Sequence, residues 1–337
     1  MSSEAVDRSY RALLDVPALP RVLTGMFVAR TAQTAVSVAL VLFTLEQFHS
    51  PALAGLVTFA SIFPGLVVSP LAGAILDRHG RIRFIVLDFV VAMGSLALIG
   101  ALGLTGLLPA WLLVLITVLA SLTQPLSSTG LRSLFPLLVP KPLWEHVNAV
   151  DSNGYVVASI FGPPLAAGMV GVIGGSITLI VVGLAFGVAA LILSGSPDPR
   201  TDTTTTGDLW RDAWAGARYT WHNATLRGLG ISIATLNLAG GMTAIVVPLI
   251  VLDSLHGGPL LVGLLFAVSG VFGCVTALAA GRLDTRGREW PLLVWPMVLY
   301  PISGAMLLAT GNVWLVAASM ALSGLLNGPM GKPRKFS

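Results

Sequence analysis

The chain has 337 residues, 55% of them apolar and 10% charged, with a formal net charge of +4 and a mean hydropathy of +0.87. A soluble domain usually carries about 25% charge, so this composition argues against a water-soluble globular protein, a disordered chain and a nucleic-acid binder. The basic residues fall in short clusters between apolar runs, which is the pattern of a membrane protein. The single cysteine, Cys274, excludes a disulfide framework and a cysteine-based zinc site, and no cofactor or metal is expected.

A bilayer-crossing helix needs about 20 mostly apolar residues. Ten runs have this character: 22–45, 52–76, 84–106, 110–138, 147–171, 174–194, 227–252, 259–281, 290–309 and 312–331. They are apolar on nearly all sides and do not alternate, which predicts helices rather than barrel strands. The first run is too long for a signal peptide and follows a polar stretch.

Direction is read from lysine and arginine. Arg8, Arg11 and Arg21 precede the first span, and Arg78, Arg81 and Arg83 separate the second from the third. Arg132 and Lys141 lie near the turn after the fourth. Arg200, Arg211, Arg218 and Arg227 follow the sixth, and Arg282, Arg286 and Arg288 the eighth. Lys332, Arg334 and Lys335 close the chain, while the opposite loops around His49, Thr105, Gly171, His256 and Gly311 have neither residue type. The N-terminus is therefore expected in the cytoplasm. Apart from Arg132 and Arg227, counted with the loops that follow or precede their spans, Arg30 is the one basic residue left inside a span.

The halves of the chain resemble each other. L-E-Q-F-H-S-P at Leu45–Pro51 corresponds to L-D-S-L-H-G-G-P at Leu252–Pro259, with Glu46 and Asp253 separated by 207 positions (253 − 46). Asp77 in G-A-I-L-D-R-H-G-R and Asp284 in A-G-R-L-D-T-R-G-R have the same offset. This predicts two bundles of parallel topology, as in some secondary transporters. The expected layout is a cytoplasmic segment (1–21), a six-helix bundle (22–194), a linker (195–226), a second bundle of four helices (227–331) and a tail (332–337) that does not continue an apolar helix. Extrapolating the first repeat puts the end of the second near residue 398, roughly two spans later, so ten helices of an expected twelve are read, and a truncated or frame-shifted frame is the expectation. In the linker, Trp210, Trp214 and Trp221 recur at helical spacing, which predicts a helix on the inner membrane surface or an aromatic-sided connector.

These residues resemble the major facilitator superfamily, an all-α membrane fold of two six-helix halves. Its loop signature, G-x-x-x-D-R-x-G-R-R, is matched by Gly73, Asp77, Arg78, Gly80 and Arg81, with Ile82 in place of the next arginine and Arg83 after it. Asp284, Gly287 and Arg288 repeat it. The exporter motif G-P-x-x-G-G is matched in part by Gly162 and Pro163, with alanines at the double glycine, and Leu138–Ser152 is similar to macrolide and siderophore exporters. The resemblance implies a secondary transporter of the inner (cytoplasmic) membrane, exporting a small amphipathic compound in exchange for protons, with the lipid bilayer as surroundings, no nucleic-acid partner and a monomer favoured. Import of a nutrient and an inactive truncated transporter are the alternatives.

Under this resemblance the loop signature is a cytoplasmic latch with a partner in span 11. Its arginines alone also suffice as topology determinants. Gly73 and Gly80 are expected to permit close approach and a tight turn. Arg30 lies about 12 Å inside its span at 1.5 Å per residue. Either it lines the substrate path with Gln33, or it pairs with Asp151. Gln124, Asn237 and Asn327 are further path candidates. Asp151 and Asp88, both placed near cytoplasmic span ends, are the candidates for proton coupling. The five histidines, His49, His79, His146, His222 and His256, fall in loops or at span ends, and neither H-E-x-x-H nor a phosphate-binding glycine loop occurs, so an intramembrane enzyme is not expected.

Overall fold

The computed structural model describes residues 10–198, 214, 218–282, 289–308 and 311–327. Every regular element among them is helical. In chain order these are α1 (Leu19–Phe48), α2 (Pro51–Ala60), α3 (Phe63–His79), α4 (Ile82–Thr105), α5 (Ala110–Leu138) and α6 (Trp144–Ile173). There follow α7 (Gly175–Ser194), α8 (Ala224–Leu249), α9 (Pro259–Arg282), α10 (Glu289–Met306) and α11 (Val313–Asn327). A π-turn, Ile250–Ser254, prolongs α8. Among the described residues, eight stretches are long and apolar enough to cross a membrane. The last two expected spans appear as α10 and α11, of 18 and 15 residues, so the count of ten is approximate. Helix is the natural state for such segments, because each backbone N–H and C=O is bonded within its own segment and needs nothing from the lipid.

The second expected span is not continuous. It breaks between α2 and α3 at Ser61 and Ile62. Pro64 has no N–H to offer the Ala60 carbonyl, and its ring crowds that oxygen. The Ile62 N–H bonds the Phe59 carbonyl instead, at 3.1 Å. A similar cause acts in α8, where Pro248 is followed by the π-turn and Leu255 N–H reaches back five residues to Ile250 at 2.9 Å. Nearby, both copies of the repeat share a backbone oddity: His49 and His256, 207 positions apart, each have φ of 50°. In α6 the helix runs unbroken through Pro163 and Pro164.

The helices form two compact units. One comprises Met1–Ala32, Phe59–Tyr155 and Ile180–Trp214, and the other Gln33–Thr58, Val156–Leu179 and Ala215–Ser337, so α1, α2, α6 and α7 contribute to both. In the first unit α3 and α4 pack along α5. Leu76, Ile85 and Leu134 are buried there, and the rings of Phe89 and Phe186 meet at 5.8 Å. In the second unit α11 packs against α9 and α10. Val41, Leu45 and Ala54 form a buried apolar cluster with Ile245, Leu249 and Leu252 packed against it. Of the linker, residues 218–222 are helical, and Trp214 and Trp221 are exposed; Trp210 lies outside the described residues.

Gly162 governs how closely α6 approaches α1 in the second unit. A Cβ at this position would run into the Thr34 hydroxyl and sit 3.1 Å from the Ala35 nitrogen. That hydroxyl already donates to the Ala158 carbonyl at 2.8 Å. Overpacking of this kind costs about 1–3 kcal/mol. Gly162→Ala is therefore expected to lower the thermal unfolding midpoint of the detergent-solubilised protein, and Thr34→Ala in the same chain to recover most of the loss. A midpoint unchanged by Gly162→Ala would contradict the close contact.

Candidate functional site

Arg30 on α1 and Asp151 on α6 meet in the first unit. Arg30 Nη1 lies 2.6 Å from Asp151 Oδ1, with both side chains 9% exposed. The same nitrogen donates to the Asp151 backbone carbonyl at 2.8 Å, and Oδ1 receives no aligned hydrogen bond. One turn along α6, the Tyr155 ring lies 5.6 Å from Arg30 Cζ, a cation–π contact. Asp151 and Tyr155 share a helix face because residues four apart do so. Arg30 thus makes the contact with Asp151 that one of its two expected readings named. Gln33 is half-buried in the second unit.

Asp88, the other coupling candidate, is buried on α4 and accepts a hydrogen bond from Thr123 Oγ1 of α5 at 2.6 Å. Ser127 is buried on the same helix as Thr123. Asp88 lies six residues into α4 and Asp151 seven residues into α6, and both are buried. Gln124 is half-buried on α5, and Asn237 is exposed on α8. Asn327 ends α11, and its side chain lies outside the described set.

The loop signature spans the end of α3 and the start of α4. Gly80 has φ of +93°, a region that favours glycine, so the tight turn is present. Gly73 faces open space among the described residues and makes no close approach. Arg81 is buried, with Nε donating to Ser133 Oγ of α5 at 2.9 Å, whereas Arg83 is exposed. Asp77 and Arg78 belong to the last turn of α3, and their side chains lie outside the described set. Asp284, Gly287 and Arg288 lie outside the described residues.

Two residues given no site role from sequence acquire partners. Glu46 Oε2 accepts the Gly175 N–H at 2.9 Å, placing a carboxylate on the first turn of α7, where the helix field favours it. Asp198 binds the amides at the start of α4. In the second unit, Glu46 and Asp253, the repeat-related pair, line one cavity of about 450 Å³ together with His49, Leu45 and Leu252. The offset of 207 is the signal that could have paired these acids in advance.

Removing one member of a buried ion pair strands the other, at a cost of about 3–5 kcal/mol. Arg30→Ala and Asp151→Ala are each expected to lower folded yield and unfolding temperature. Arg30→Met with Asp151→Leu should restore much of both, as measured by size-exclusion chromatography and thermal unfolding. A double variant no better than either single one would rule out the pair as the cause.

Residues 22–331 match the Major Facilitator Superfamily. An uncharacterized MFS-type transporter, y4rN, of Sinorhizobium fredii is 33% identical over 324 residues, covering 96% of this chain and 80% of that one. The multidrug efflux pump Tap of Mycobacterium tuberculosis is 26% identical over 305 residues, covering 85% of this chain and 70% of the pump. Among solved structures, the nucleoside transporter NupG superposes with a TM-score of 0.67 at 14% identity, covering 92% and 79% of the two chains. A POT family transporter does so with a TM-score of 0.64 at 11% identity, covering 93% and 82%. The helical architecture, the apolar spans and these matches together place the chain in the major facilitator superfamily, as a multi-pass membrane transporter rather than an enzyme.

Proposed function

We propose that the chain exports a small amphipathic compound from the cytoplasm in exchange for protons. The observation that carries this reading is the Arg30–Asp151 pair: a carboxylate and a guanidinium buried together inside the helices, 2.6 Å apart. Intramembrane acids mark proton paths in transporters. A proton taken up on Asp151 from outside removes the attraction for Arg30, and its release to the cytoplasm restores the pair. Likeness to a named multidrug efflux pump supports the outward direction. The cavity of about 450 Å³ lies within the usual range of small-molecule sites.

The same reading assigns the functional halves to residues 22–194 and 227–331, as the repeat divides them, and a cytoplasmic N-terminus in the inner membrane, as the arginines divide the loops. Gly73, Asp77, Arg78, Gly80, Arg81 and Arg83 then face the cytoplasm as the loop that changes between conformations. Gln33 and Gln124 are its polar path residues.

The test is export of ethidium from cells deleted for their own multidrug exporters. Cells carrying the chain are expected to clear ethidium faster than cells carrying Asp151→Asn, at equal membrane content, and a protonophore should abolish the difference. Faster ethidium entry in cells carrying the chain would favour import. Export that survives collapse of the proton gradient would refute the coupling.

A further inference from the structure

The sixth span ends beside the start of the first. Its helix, α7, has 20 residues, which at 1.5 Å each extend about 30 Å, the thickness of the hydrocarbon core. The last turn of α7 therefore lies at the level where acyl chains give way to lipid headgroups. Arg21, in the first turn of α1, reaches this end. Its Nε donates to the Ile192 carbonyl, and its Nη1 to the Gly195 carbonyl at 3.2 Å. Gly195 admits the guanidinium, since a Cβ there would run into it. The last carbonyls of a helix and its field both favour a cation in this place.

These bonds fix the guanidinium without using it up. It carries five N–H donors, and Nη2 meets no acceptor among the described residues. Arg21 is exposed, and no carboxylate among the described residues lies within ion-pair distance of it. It forms the charged end of a groove of about 520 Å³ in the first unit, with Pro20 and Thr24 of α1 on one side and Leu191 and Ile192 of α7 on the other. Leu191 is 73% exposed. Ala18, which precedes α1, has no side chain to cap the helix, so the first-turn amides add to the field that favours an anion.

We propose that this groove holds an acidic phospholipid, with its phosphate against Arg21 and the start of α1 and an acyl chain along Leu191 and Ile192. A soluble anion would match the charge alone, whereas the apolar wall at interfacial depth fits a lipid. Basic pockets between spans are where acidic headgroups bind. The phosphate supplies the anionic partner that Arg21 lacks within the described chain, and it ties the start of α1 to the end of α7. The inference is independent of what the chain transports and in which direction.

The test is native mass spectrometry of the full chain in detergent, titrated with dioleoyl phosphatidylglycerol or dioleoyl phosphatidylcholine. The first phosphatidylglycerol adduct is expected at roughly fivefold lower concentration than the first phosphatidylcholine adduct, the scale of one basic side chain at an acidic headgroup. Arg21→Gln keeps N–H donors for the two carbonyls but removes the charge, and should erase that preference. Thr24→Asp puts a carboxylate into the groove near a helix start, where an acid is tolerated. It should erase the preference too, and it keeps the proposal testable where the arginine variant folds poorly. Equal binding of both lipids by the parent, or a preference that survives in either folded variant, would overturn the proposal. Inorganic phosphate that displaces phosphatidylglycerol at equal concentration would mark a site for soluble anions and overturn the lipid as its occupant.

Discussion

The hydrocarbon core offers no hydrogen-bond partner, so every polar group carried into it must find one within the protein. That constraint makes the spans helical, and it also explains how the structure departs from plain helix. Where Pro64 interrupts the second span, Ile62 bonds to Phe59. Where Pro248 disturbs α8, the π-turn recloses on Ile250. Thr34, Thr44 and Thr117 return their hydroxyls to backbone carbonyls. Asp88 is met by Thr123, and Arg30 by both the carboxylate and the carbonyl of Asp151.

Arg30 and Asp151 bring opposite charges together in this setting. Their charges attract strongly in a medium of low polarity, and the arginine also donates to the Asp151 backbone carbonyl. The pair is held by charge and by this backbone bond.

Much of this was legible in the sequence. Hydropathy located the helices, and the 207-residue offset announced a repeat that recurs in the backbone as the matched angles of His49 and His256. The break at Ser61 and Ile62 escaped because hydropathy averages over a span, although Pro64 was in plain view. Arg30 was singled out by its charge, but its partner was left open because sequence gives the depth of a residue and not the direction its side chain takes. Asp198 escaped for a different reason. Its contact joins residues 117 apart across a loop, which no periodicity records; the only local hint was an acid between two prolines, Pro197 and Pro199.

The cluster of Val41, Leu45 and Ala54 with Ile245, Leu249 and Leu252 contains no charge and no polar side chain. Any part of it that water reaches on opening is held shut by the hydrophobic effect, which near room temperature is almost entirely entropic and is accompanied by a large heat-capacity change. Such closure weakens on cooling, whereas the ion pair in the other unit owes its strength to electrostatics. The chain therefore combines two fastenings, one apolar and one electrostatic, whose strengths change differently with temperature.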